Sequence, residues 1–155
     1  MISNDVLRSL RYMLDLADHQ VVALVQLADP GYALTAEEVH AYLLKEGEPG
    51  YVDCPNAMLA RLLDGLIVHR RGRDESQPPR PPEKRVTNNV VLKKLRVAFE
   101  LKDVDMHQVF EDAGFPVGKP ELSALFRQPD HKHFRLCGDQ MLRHFLKGLT
   151  RRVRG

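Results

Sequence analysis

No stretch of these 155 residues approaches the roughly 18 consecutive apolar residues that a membrane-spanning helix needs. The opening Met1-Ile-Ser-Asn-Asp5 has no basic region followed by an apolar core, so no secretory leader is expected. Cysteine is scarce, with only Cys54 and Cys137. Two thiols cannot form the framework of a disulfide-rich secreted domain, and a reduced cytoplasm is the expected compartment. A glycine-rich phosphate loop, a nucleophile elbow and a His-Glu-x-x-His pair are all missing. No segment alternates apolar and polar residues long enough to read as a strand. These absences argue against a membrane protein, a disulfide scaffold and the best-marked enzyme classes. The expected fold class is all-α.

What is present looks like a soluble globular chain, 43% hydrophobic and 28% charged. The net charge of +2 hides an uneven distribution. Residues 3–72 hold six Lys/Arg against ten Asp/Glu, whereas residues 88–155 hold thirteen against eight. An acidic half and a basic half invite electrostatic docking, between the halves or between chains.

The chain is written twice. Ser3-Asn-Asp-Val-Leu-Arg-Ser-Leu-Arg11 lies over Asn88-Asn-Val-Val-Leu-Lys-Lys-Leu-Arg96, so that Asn4 meets Asn89, Leu7 meets Leu92 and Arg11 meets Arg96. Two residues are then lost and the match resumes. Gly31 meets Gly114, Cys54 meets Cys137, Met58-Leu59 meets Met141-Leu142, and Gly65-Leu66 meets Gly148-Leu149. This many apolar positions, cysteines and glycines in one order mark a tandem duplication. The expected organisation is a first helical repeat at 3–72, a linker at 73–87 and a second repeat at 88–152. The linker Arg73-Asp-Glu-Ser-Gln-Pro-Pro-Arg-Pro-Pro-Glu-Lys-Arg-Val-Thr87 is too rich in proline and charge to form a regular element.

Four stretches carry a family resemblance: "SNDVLRSLRYML", "GLIVHRRGRDES", "NNVVLKKLRVAFELK" and "PDHKHFRLCGDQMLRHFLKGL". They are similar to the YehS-like family of small bacterial proteins, in which a domain of unknown function occurs twice. The resemblance covers nearly the whole chain. It implies a bacterial, cytoplasmic, helical protein without an assigned activity, and it brings no catalytic or binding residues with it.

Each copy reads as four helices. The first spans about Asn4–Leu16, with Val6, Leu7, Leu10, Met13, Leu14 and Ala17 in one stripe, and Asn4 and Asn89 are the expected N-caps. The second starts near Asp18 or Asp103, again as caps. Thr35-Ala-Glu-Glu38 has the capping-box pattern for the third, and Pro120 suits the first turn of its counterpart. The fourth begins at the cysteines, with Pro55 in its first turn and Cys54 near the cap. Gly65 and Gly148 lie within its apolar pattern, which calls for close backbone packing or a helix end. Each repeat of roughly 65 residues buries a limited core by itself, so the two repeats are expected to dock with pseudo-twofold symmetry.

The segment His131-Lys-His-Phe-Arg-Leu-Cys137 resembles a ligand cluster, and His131, His133 and Cys137 are the candidate zinc ligands. The repeat argues against it. The equivalent segment, Glu48-Pro-Gly-Tyr-Val-Asp-Cys54, keeps the aromatic and the cysteine but has no histidine. A thiol near a helix start is also a candidate nucleophile, although two equivalent nucleophiles in one chain would be unusual. No catalytic residues and no cofactor are expected, and the protein reads as non-enzymatic.

Two functional readings remain. The favoured one is a protein-interaction or regulatory module with an unknown protein partner. The alternative is a nucleic-acid-binding protein that uses paired basic sites: Arg8 and Arg11 with Lys93 and Arg96 on the first helix of each repeat, and Arg70, Arg71, Arg151 and Arg152 at the repeat ends. Met106–Arg127 also resembles a helix-turn-helix in outline.

Overall fold

The computed structural model describes residues 1–78 and 81–155. Among the described residues are eight α-helices and no strand: α1 Ser3–Leu14, α2 Asp18–Ala28, α3 Ala36–Leu43, α4 Asn56–Arg71, α5 Asn88–Ala98, α6 Asp103–Asp112, α7 Lys119–Leu125 and α8 Asp139–Arg154. They divide into two compact units, Met1–Val86 and Thr87–Gly155, with four helices each in the same order. In the linker stretch Pro79 and Arg80 lie outside the described residues, and the described part of 73–87 holds turns but no helix. Among the described residues, no helix is long and apolar enough to cross a membrane.

The helical stripes become the cores. In the first unit Val6, Leu7, Leu10 and Met13 of α1 are buried, as are Val21, Leu24 and Val25 of α2, Val39 and Tyr42 of α3, and Met58, Leu59, Leu62, Leu63 and Leu66 of α4. The second unit buries Val91, Leu92 and Leu95, then Met106, Val109 and Phe110, then Leu122 and Leu125, then Met141, Leu142, Phe145, Leu146 and Leu149. Each large side chain taken out of water stabilises the fold by about 1.5–3 kcal/mol before ordering costs. The final helix of each unit therefore carries the largest share.

That helix approaches its neighbour very closely. A methyl group on Gly65 would overlap the Leu24 carbonyl oxygen, and one on Gly148 would overlap the Val109 carbonyl oxygen. Of the two explanations for glycine inside an apolar helix, close packing is the one observed. The roughly 1 kcal/mol propensity loss is accepted because two backbones must touch.

Several helix starts differ from expectation. Asn4 and Asn89 cap nothing, since each lies in the first turn with its side chain turned inward. Thr87 caps α5 instead, and its hydroxyl accepts the Val90 N–H. Asp18 and Asp103 are the first residues of α2 and α6, and Ala17 and Lys102 hold the cap positions. There the third helical residue closes the turn. Gln20 accepts the Ala17 N–H at 2.7 Å and Asp105 accepts the Lys102 N–H at 2.9 Å. Asp18 and Asp103 still favour the positive end of the helix dipole. Pro55 is the N-cap of α4 and not its first turn, so the cysteines stand outside the fourth helices. The capping box at Thr35 and the early proline at Pro120 are as expected.

Replacing Gly148 with alanine is predicted to destabilise the protein by about 2–3 kcal/mol, because the rigid Val109 carbonyl must move. Urea unfolding monitored by circular dichroism measures this. A midpoint equal to or above that of the parent would show that the α6–α8 approach is not tight.

Candidate interaction site

The two asparagines organise the most irregular part of each unit, the segment between the third and fourth helices. Asn4 donates its amide to the Tyr42 and Val52 carbonyls, both at 3.0 Å, and its oxygen accepts the Cys54 N–H at 2.8 Å. Asn89 donates to the Leu125 and Arg135 carbonyls, both at 2.9 Å, and accepts the Cys137 N–H at 2.8 Å. Every partner in one unit is the repeat equivalent of a partner in the other. The amide supplies two donors and an acceptor, and all three are matched to backbone groups that lack helical partners. Asn4 is only 1% exposed, so leaving any of these unmet would be costly.

The backbone between is also duplicated. Glu48 N–H to Lys45 C=O, Tyr51 N–H to Glu48 C=O and Val52 N–H to Ala41 C=O recur as His131 to Gln128, Phe134 to His131 and Arg135 to Ala124. His131-Lys-His-Phe-Arg-Leu-Cys137 is therefore the same loop as Glu48–Cys54 with different side chains.

This placement decides the chemical readings. His131 Nδ1 accepts the His133 backbone N–H at 3.0 Å, and the Arg127 guanidinium lies 3.5 Å from Nε2. His131 and His133 are exposed, while Cys137 is buried. Among the described residues, no three or more His, Cys, Asp or Glu side chains are grouped to hold a metal ion. The candidate ligands His131, His133 and Cys137 are not grouped with one another in that way. A ring nitrogen committed to a backbone donor cannot also ligate, and an arginine beside the other opposes a cation.

Both thiols are free and buried. Burial pushes the Cys54 thiol up to about 12 and the Cys137 thiol up to about 11. Each S–H lies 3.7 Å from a carbonyl oxygen, that of Pro55 or of Gly138. The nucleophile reading relied on a thiolate at a helix start. The cysteines instead precede the helices and are held neutral, as small apolar side chains.

The eight candidate nucleic-acid residues lie four in each unit, and several of them already have partners within their own unit. Arg8 pairs with Asp5 at 3.3 Å and donates to the Leu44 carbonyl. Arg96 donates to the Leu101 carbonyl, pairs with Asp103 and lies 4.7 Å over the Phe126 ring. Its equivalent Arg11, and Lys93, are exposed on their helices. Arg70 and Arg71 have interaction partners. Arg151 donates to the Asp112 carbonyl at 2.9 Å, and Arg152 pairs with Asp105 at 2.7 Å. The helix-turn-helix outline also fails. Residues 113–118 separate α6 from α7, longer than the usual three- to four-residue turn, and α7 has seven residues with Leu122 and Leu125 buried.

What the clamps do present is apolar and was not legible beforehand. Leu136, flanked by two residues tied to Asn89, is 73% exposed, and Val52 in the first unit is 48% exposed. Tyr51 stands directly before Val52 and Phe134 two residues before Leu136, and both aromatics are partly exposed. Arg135 is held by an ion pair with Glu121. The available signal was the aromatic and cysteine shared by the two copies. What it marked was a hydrogen-bonded loop carrying an outward apolar side chain.

The family described as "Protein of unknown function (DUF1456)" matches residues 3–72 and again 88–155. The chain belongs to this family. The "Uncharacterized protein YehS" of Escherichia coli (strain K12) is 47% identical over 152 residues, covering 98% of this chain and 96% of that relative. No solved structure matches. The two family matches fall on the two copies, so the duplicated asparagines, glycines and cysteines lie within the repeated domain that defines the family.

Two outcomes test the clamp and the thiols. Asn4→Asp places a carboxylate against the Tyr42 and Val52 carbonyls. Its folded pKa is then raised above the unfolded value of about 3.9, so stability is retained at low pH and lost as pH rises. The variant should be less stable than the parent by about 3 kcal/mol at pH 7.5 and by clearly less at pH 4.5; an equal deficit at both values would refute the carbonyl contacts. Separately, a thiol reagent at pH 8 should modify Cys54 and Cys137 only at the rate of unfolding, with both reacting promptly in urea. Fast modification of either in the native protein would contradict its burial.

Proposed function

We propose that this protein is a non-catalytic helical module that works by docking on another protein, using the clamped loop of each repeat as the contact. The observation that carries this reading is Leu136, largely exposed between Arg135 and Cys137, whose backbone groups are both fixed by Asn89. Isolated surface leucines are ordinary. This one differs in being held rigid, with an aromatic and an arginine beside it. Binding costs the ordering of loops and side chains, and a loop already ordered avoids much of that cost. Aromatic and arginine side chains are the residues most enriched where binding energy concentrates. The first repeat keeps the aromatic as Tyr51 but has Asp53 in register with Leu136, and its exposed apolar residue, Val52, is the counterpart of Arg135; the two loops are related but not equivalent binding elements.

The polar groups around the clamp are largely committed to the fold. The buried thiols are neutral, the histidines of the loop are exposed and unassembled, and the remaining polar groups near the clamp serve the backbone. A regulatory role through such docking accords with a chain whose two halves differ in charge.

A photoreactive side chain at position 136 should crosslink a discrete protein in nuclease-treated bacterial lysate. The same probe at exposed Lys119 should not, and Leu136→Asp should reduce copurification of that protein at least tenfold while leaving the melting temperature within about 2 °C. Crosslinking equal to the Lys119 control, or copurification unchanged by Leu136→Asp, would exclude the loop as the docking element.

A further inference from the structure

We infer that the outward face of α8 is a docking surface for the phosphodiester backbone of a nucleic-acid duplex. This goes beyond protein docking and rests on different residues. Residues 140–155 contain five Lys/Arg and no Asp/Glu. Residues 88–139 contain eight of each. The whole positive excess of the second unit therefore sits on one helix.

The charges are arranged and not merely concentrated. Arg143, Lys147 and Arg151 are four residues apart, share one face of α8 and are all exposed, while Met141, Leu142, Phe145, Leu146 and Leu149 face the core. Each step advances about 6 Å along the helix. A duplex presents a phosphate about every 3.4 Å of axis on each strand, so each successive cation reaches a new phosphate. The helix dipole explains cations in the last turn but not Arg143 and Lys147 in the second and third turns.

Nor is this charge consumed internally. Arg151 donates to the Asp112 carbonyl, which steadies the guanidinium without neutralising it. Arg152 is different: it pairs with the Asp105 carboxylate and does not belong to the surface. Asp139, one turn before Arg143, offsets part of that residue's charge. In the first repeat the register places Ala60, Asp64 and Val68 at the three positions. The stripe is thus no part of the duplicated scaffold and belongs to the second copy alone.

The composition of the face selects the occupant. Protein interfaces centre on aromatic or aliphatic side chains, and the stripe has none; Val153, the exposed large apolar residue of α8, lies off it. Single strands are gripped by stacking bases on aromatic rings. The one ring alongside, His144, is already stacked on Phe115 at 4.8 Å. Arginine and lysine alone suit phosphate contacts that ignore sequence.

The test is fluorescence anisotropy of the full chain with a labelled duplex DNA of about 20 base pairs, a duplex RNA, a single strand and polyglutamate. Both duplexes should bind independently of sequence, with affinity falling about 40-fold between 50 and 200 mM salt for three phosphate contacts. R143Q/K147Q/R151Q should weaken binding at least tenfold and lower the log–log salt slope by about 2–3. K93Q/K102Q/K119Q, an equal charge change elsewhere in the unit, should stay within twofold. If the α8 triple lowers the melting temperature, R143Q/K147Q retains the Arg151 contact and should still weaken binding several-fold. Equal losses in the α8 and control triples, or none in either, would overturn the assignment. So would a single strand or polyglutamate binding as tightly as the duplexes, the latter pointing to an acidic protein.

Discussion

One side-chain amide in each repeat holds together what the helices by themselves do not. The third and fourth helices are joined by an irregular segment of about a dozen residues, a length at which loops without secondary structure become uncommon. Its backbone groups cannot all pair with one another. Asn4 and Asn89 supply the missing partners, joining the end of the third helix, the loop and the residue before the fourth helix to the first turn of the first. The exposed apolar residues, the buried cysteines and the approach to the fourth helix all depend on that tie.

The second constraint is the contact between backbones at Gly65 and Gly148. Together with the asparagines it defines what duplication preserved: a clamping amide, a glycine crossing and a neutral thiol. Side chains outside that set diverged. His131 replaces Glu48 in an unchanged loop, His144 on Phe115 replaces Arg61 on Tyr32, and a cationic stripe replaces Ala60, Asp64 and Val68. Duplication thus provided a scaffold whose two surfaces were free to take separate roles. A clamped apolar loop and a cationic helix are the two surfaces on which the proposed contacts rest.

Much of the fold was legible because it depends on periodicity. The stripe of Val6, Leu7, Leu10 and Met13 needs only the helical repeat to predict burial, and the register of the two copies marks Phe134 and Cys137 of "HKHFRLC" as shared scaffold. The helix starts were less legible. Asparagine is both a good cap and a good buried amide, and residue type cannot tell these apart. Arg8, Arg96 and Arg152 looked like free surface charge, yet each is engaged by a carboxylate, and Arg96 by a ring as well. The exposure of Leu136 depends on the loop around it and has no signal in local spacing.

By itself, then, the sequence determined the all-α class, the duplication, the helical stripes and the lack of recognisable catalytic motifs. These follow from local spacing and from self-comparison. Only the tertiary structure decided that Asn4 and Asn89 are clamps, that the thiols are neutral, that Leu136 points outward and which arginines are already paired. Each of those depends on a hydrogen bond, a burial or a charge contact between residues that are mostly distant along the chain, and local pattern contains no record of such partners.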